Sequence, residues 1–174
     1  MHISPAHWHL LLNHFPIIIS ITGTGFLVAA LVIRKQHLRF GGLLLILFAA
    51  AMAYPAFATG HGAEEEVEEI AGVSHQGIHA HEDTAQTGLR IMLGAGAIAL
   101  LTLFLLSNKK KAADTMVIIT LCAGLISAGY MAYVGYTGGE IRHAEIRGDF
   151  GGNTSTQPAD NGQQENGGGE QDDD

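Results

Sequence analysis

Histidine dominates the chemistry this chain can offer: 10 of its 174 residues carry an imidazole. Neutral imidazole nitrogens are the commonest protein ligands for metal ions and haem iron. Three groups matter. The first lies in HISPAHWHLLLNHFPIII and contains His2, His7, His9 and His14. Ser4 is placed as an N-cap and Pro5 as the first helical residue, so the run reads as one helix. His7 and His14 then share a face but stand roughly 10 Å apart along the axis, too far for one ion. His9 points to another face. Pro16 removes a hydrogen bond to the Leu12 carbonyl and would kink the helix beside His14. Alternatively, Asn13 caps a helix that starts later, with Pro16 in its first turn.

The second group is SHQGIHAHEDTAQTG. His75 and His79 are spaced i,i+4 and Glu82 continues the stripe, which aligns two imidazoles and a carboxylate for zinc, iron or copper. Gly77 weakens this helix by about 1 kcal/mol relative to Ala. The third group is TGGEIRHAEIR, where Glu140-x-x-His143 has the spacing of ligand pairs in carboxylate di-iron bundles. Thr137 and Glu140 also have capping-box spacing, and the cap is the preferred reading; it does not exclude ligation by His143. Thr59-Gly60 after Tyr54 echoes Thr137-Gly138 after Tyr136, a weak sign of a duplicated helical hairpin. Met52, Met92 and Met131 occupy the same ends of their segments as the histidines; sulfur there suits haem or copper, or fills a core.

Four apolar runs must position these groups: residues 15–33, 40–58, 89–106 and 115–137. A bilayer core needs roughly 20 apolar residues in a helix. None of the four contains Asp, Glu or Lys, and Arg90 sits at the edge of the third. No basic residue precedes Phe15, which argues against a signal peptide. Only 15% of the chain is charged, well below soluble usage. Six of the nine basic residues, Arg34, Lys35, Arg39, Lys109, Lys110 and Lys111, fall in two short connections. The positive-inside rule makes those connections cytoplasmic and sends both termini and residues 59–88 outward. Sixteen of the 17 acidic residues, all but Asp114, and nine of the ten histidines, all but His37, then lie on the outer side.

Small residues at Gly23-x-Gly25, Gly94-x-Gly96 and Gly124 with Ser127, Ala128 and Gly129 let helices approach closely in lipid. Short connections impose antiparallel neighbours. The expected fold is all-α: an integral membrane four-helix up-down bundle over 1–147, with an outer loop at 59–88. Residues 148–174 are Gly, Asn, Gln, Asp and Glu with few apolar letters, and read as a disordered acidic tail. The formal net charge of -8 excludes nucleic acid as a partner. A single cysteine, Cys122, excludes disulfide scaffolds and cysteine zinc sites. No phosphate loop, nucleotide fingerprint, nucleophile elbow or Cys-x-x-Cys-His attachment occurs. Spans without buried Asp, Glu or Lys argue against a transport pathway.

LNHFPI at 12–17, with His9 before it, Thr-Gly after the second run, His81 before the third and Gly-Gly-x-x-x-His after the fourth, resembles a known family. The chain is similar over residues 7–147 to the bacterial four-helix membrane proteins called domain of unknown function 2231. That family has no established activity. Some members accompany c-type cytochrome domains, so the resemblance implies electron-transfer surroundings; with the basic connections inside, the expected place is the bacterial inner membrane with periplasmic termini. It also implies His9, His14, His81 and His143 as the cofactor positions, while His61, His75 and His79 depart from the simpler pattern.

These readings converge on one expectation. The outer end binds haem b or a transition metal, giving a small electron-transfer subunit. His14 and His81 are the leading haem pair, walled by Phe15, Ile17, Met92 and Leu93; His143 competes as second ligand. His75, His79, Glu82 and Glu140 are the candidate ligands of a separate ion. In the alternative reading the protein has no cofactor and docks cytochromes or respiratory subunits through the acidic face EEEVEE.

Overall fold

The computed structural model describes residues 4–67 and 75–142, with backbone only at Val67, His75 and Arg142. His2, His143, the side chain of His75 and the acidic tail lie outside the described residues. The described residues form five helices: α1 (Pro5–Leu12), α2 (His14–Ile33), α3 (Gln36–Val67), α4 (His75–Ser107) and α5 (Ala113–Arg142).

α1 and α2 form one nearly continuous rod. Asn13 between them keeps right-handed helical angles (φ -62, ψ -26), and its N–H still donates to the His9 carbonyl at 2.9 Å. Both sequence alternatives are partly realised. Ser4 caps α1, its hydroxyl accepting the His7 N–H at 3.4 Å, with Pro5 in the first turn. Pro16 falls in the first turn of α2, where a missing N–H costs little, and Asn13 makes no side-chain cap.

Four rods, α1–α2, α3, α4 and α5, are long and apolar enough to cross a membrane. They pack in a ring: α2 on α3, α3 on α4, α4 on α5 and α5 on α2, with α1 laid along α3. At one end, which we call the basic end, Arg34 (φ 56) and Lys109 (φ 53) take left-handed conformations where α2 and α4 finish. An ion pair from Arg39 to Asp114 ties α3 to α5 there. At the opposite, histidine end, the structure revises the expected loop at 59–88. α3 continues through Thr59 to Val67 and α4 starts at His75, so only 68–74 falls between helices. Ala63 and the following glutamates are good helix formers, and they extend the rod beyond its apolar part.

The interior is small and the exterior large. Leu27, Leu43, Ile46 and Val117 are buried with Ala95 and Ala99, and Ala49, Ala50 and Ala53 pack with Met92 and Met131 in a second cluster. A Cβ on Gly42 would lie 2.8 Å from the Gly23 carbonyl oxygen, and one on Gly96 would overlap Ala50. Gly25, Gly94 and Gly129 instead face open space, so one glycine of each expected pair does the packing. The Thr102 and Thr120 hydroxyls meet at 2.7 Å in the interior: one donates to the other, which donates in turn to the carbonyl one turn back on its own helix. Phe26, Val32, Phe48, Leu100, Phe104 and Ile126 point outward. Close packing through small residues beneath a large apolar skin is the arrangement lipid favours.

Candidate functional site

The histidine end holds a cleft of about 50 Å³, walled by α1, α2, α3, α4 and α5 together. His9 of α1 and His81 of α4 face it, along with Asn13, Pro16, Ile17, Phe57 and Met131. His9, Asn13, Pro16 and Ile17 reach it from one stripe, since i, i+4 and i+7 share a helical face. Pro16 is buried against the bundle, and the two imidazoles are half-buried.

Both imidazoles are braced through the same nitrogen. His9 Nδ1 donates to the Ala56 carbonyl at 2.9 Å and lies 3.4 Å from the Thr59 hydroxyl. Thr59 in turn donates to the Pro55 or Ala56 carbonyl, at 2.9 and 3.0 Å. On the other side, the Thr137 hydroxyl donates to the Val134 carbonyl at 3.0 Å. His81 Nδ1 lies 3.0 Å from the same hydroxyl, and the His81 ring also hydrogen-bonds the Val134 carbonyl, as His9 does the Ala56 carbonyl. With Nδ1 protonated on each ring, Nε2 carries the lone pair of the neutral tautomer. Metal-binding histidines are commonly oriented in this way, by a hydrogen bond at the far nitrogen. Two half-buried imidazoles in one cleft also disfavour charge on both.

Glycine makes room at one of the two rings. A Cβ on Gly138 would stand 3.0 Å from His81 Cε1, whereas one on Gly60 would make an ordinary contact at 3.4 Å with His9 Cε1. The Thr-Gly echo thus repeats a threonine beside each ring nitrogen, while only Gly138 is needed to admit its ring. The cleft walls repeat likewise, at one constant offset between α1–α2 and α4 and another between α3 and α5. His9 matches His81, Asn13 matches Ala85 and Ile17 matches Leu89; Ala53 matches Met131 and Ala56 matches Val134. The cleft lies between two equivalent hairpins.

The equivalence breaks at Asn13. Its Oδ1 is buried and has no hydrogen-bond partner among the described residues. A buried acceptor left unpaired costs about 1–3 kcal/mol, so this oxygen calls for a donor or a cation in the cleft. Neither Asn13 nor His61 was among the ligands expected from sequence. The stripe His9–Asn13–Pro16 carried the signal for the former.

The remaining expected positions are dispersed. His14 is exposed, with Nδ1 on the Leu10 carbonyl at 3.2 Å, and does not face the cleft. His7 and His37 are exposed. Of the expected haem wall, Ile17 lines the cleft, Phe15 and Leu93 are exposed, and Met92 is buried with its sulfur 3.2 Å from Ser127 Oγ. Glu140 accepts a hydrogen bond from Tyr136 instead of capping a helix, because α5 runs unbroken past Thr137 to Arg142. His79 and Glu82 lie together on α4 facing α3, where His61 and Glu64 meet them. Comparison with protein-family models, curated proteins and solved structures gives no match.

Proposed function

We propose that this chain is a four-span membrane protein that holds a transition-metal ion, copper, between His9 and His81, and serves as a small electron-transfer subunit. The observation that carries the reading is the unpartnered Asn13 Oδ1 in the same cleft as two braced imidazoles. Two imidazole nitrogens and an amide oxygen make a donor set for a first-row metal. Met131 adds a thioether to the wall, which favours copper. Copper supplies one-electron chemistry; the protein's part is to hold the imidazoles neutral, fix Nε2 and limit water. The cleft has room for an ion and a few waters, at about 10–15 Å³ per water on this measure. It is far smaller than the 300–1,000 Å³ typical of organic ligands. Haem b is therefore the less favoured cofactor.

Exposed Trp8, Tyr54, Tyr133 and Tyr136 surround the histidine end, as aromatic belts do at a membrane surface. In this reading that end faces the periplasm of a bacterial inner membrane, and both termini lie outside. Glu65 and Glu66 there offer an acidic face to a basic redox partner such as a cytochrome. Membership of the domain of unknown function 2231 family remains part of the proposal. Its most specific motif, at 12–17, contributes Asn13, Pro16 and Ile17 to the cleft.

Elemental analysis and electron paramagnetic resonance of detergent-purified protein test the reading. The expected result is about one copper per chain, lost roughly tenfold or more in His9→Ala and in His81→Ala and retained in His14→Ala. Metal-free wild-type protein would refute it. A sharp α band on dithionite reduction would transfer the two imidazoles to haem b.

A further inference from the structure

Away from the cleft, α3 and α4 present the same four-residue pattern to each other. α3 carries His61-Gly62-Ala63-Glu64 and α4 carries His79-Ala80-His81-Glu82. Spacing of i,i+3 puts each imidazole and its carboxylate on one face. The helices are antiparallel, so the patterns cross: His61 Nδ1 lies 3.2 Å from Glu82 Oε1, and His79 Nδ1 lies 3.8 Å from Glu64 Oε1. Ligand atoms of His61, Glu64 and Glu82 all fall within 4.8 Å of one another. Donors around one tetrahedral zinc ion, with bonds of about 2.0–2.2 Å, stand about 3.3–3.6 Å apart, so these side chains close by roughly 1 Å to bind one. Phe57 holds the His61 ring edge-on, with centroids 5.3 Å apart and planes at 84°. His79 and His81 are two residues apart and so point to different sides of α4. Exposed ion pairs contribute little, and the His61 and His79 side chains are 57% and 69% exposed. A dication would neutralise both carboxylates and leave both imidazoles uncharged.

We propose that His61, Glu64 and Glu82 hold one divalent ion of the zinc type at a second, solvent-accessible site that clasps α3 to α4, with His79 beside Glu64 at its edge. The donors are nitrogen and oxygen without sulfur, which suits zinc over copper(I). This site does not rest on the copper reading, and its test is separated from it by removing the cleft imidazoles.

Full-length His9→Ala/His81→Ala protein is stripped with a chelator and titrated with Zn2+ by calorimetry and with Co2+ by visible absorption. The expected result is saturable binding of one Zn2+, d–d bands of a nitrogen- and oxygen-ligated Co2+, and a higher melting temperature with zinc. Adding His61→Ala/His79→Ala, or Glu64→Gln/Glu82→Gln, weakens binding at least tenfold and removes the melting shift. Circular dichroism verifies that these surface variants keep the helices. Absence of saturable zinc binding in the cleft-less protein overturns the proposal, as does binding unchanged by the His61→Ala/His79→Ala pair.

Discussion

Thr137 and the Val134 carbonyl together orient His81. With the Thr137 proton on that carbonyl, the hydroxyl lone pair is left to meet a protonated Nδ1. Thr137→Val removes that acceptor. We expect copper affinity to fall about 10–100-fold, as for other lost orienting partners, and Thr137→Ser to restore it; a competition titration measures both. Protons compete for the same Nε2 lone pairs. Burial holds both rings below the usual imidazole value, so affinity should be flat at neutral and alkaline pH and fall only in acid, below about 6.5, which copper retention between about pH 8 and 4 would record. At this scale the sequence exposed the ligand types but not the pairing. His14 drew attention because Pro16 and the apolar run begin beside it. Five residues beyond His9 and one beyond Asn13, however, it is rotated about 140° from the first and about 100° from the second. His9 and His81 meet only through tertiary packing, which no spacing encodes.

Glycine positions separate seats from packing contacts along the helices. Gly138→Ala places a Cβ 3.0 Å from the His81 ring and should displace it, lowering copper content. Gly60→Ala reaches His9 only at 3.4 Å, an ordinary contact, and should be mild. Gly94→Ala meets nothing and should raise stability by about 0.5–1 kcal/mol. Thermal melts and metal analysis of the three variants check the order. The apolar runs at 15–33, 40–58, 89–106 and 115–137 made the helices legible, because hydrocarbon length leaves few alternatives. The helix ends were less legible. Polar residues such as Glu64 and Glu82 read as loop by composition, yet Glu and Ala are good helix formers and continue α3 and α4 beyond their apolar parts.

For the whole molecule, small residues inside and large apolar residues outside followed from the same runs, and the ring of four antiparallel rods followed from the two short connections. What orders the rods around the ring, Gly23 against Gly42 and Gly96 against Ala50, is a matter of which face each glycine takes. That depends on neighbours not yet specified in a linear reading. Orientation across the bilayer rests on Arg34, Lys35, Arg39 and the three lysines at 109–111. Reporter fusions after residue 36 and after Lys111 should both stay cytoplasmic; a periplasmic signal from either would reverse the model.

Each hairpin supplies one braced imidazole to the cleft, and this bears on how the protein is made. A ribosome delivers α1 to α3 as a complete membrane hairpin before α4 emerges, and that hairpin carries His9, its threonine and its glycine but only half of a site. If the cleft takes copper as proposed, loading would wait for the second hairpin to be inserted and docked, and a filled cleft would certify finished assembly. The covalent link through 68–74 is dispensable on this view. Residues 1–70 and 71–174 made as separate chains in one cell should find each other in the bilayer and recover copper, while either alone should stay empty.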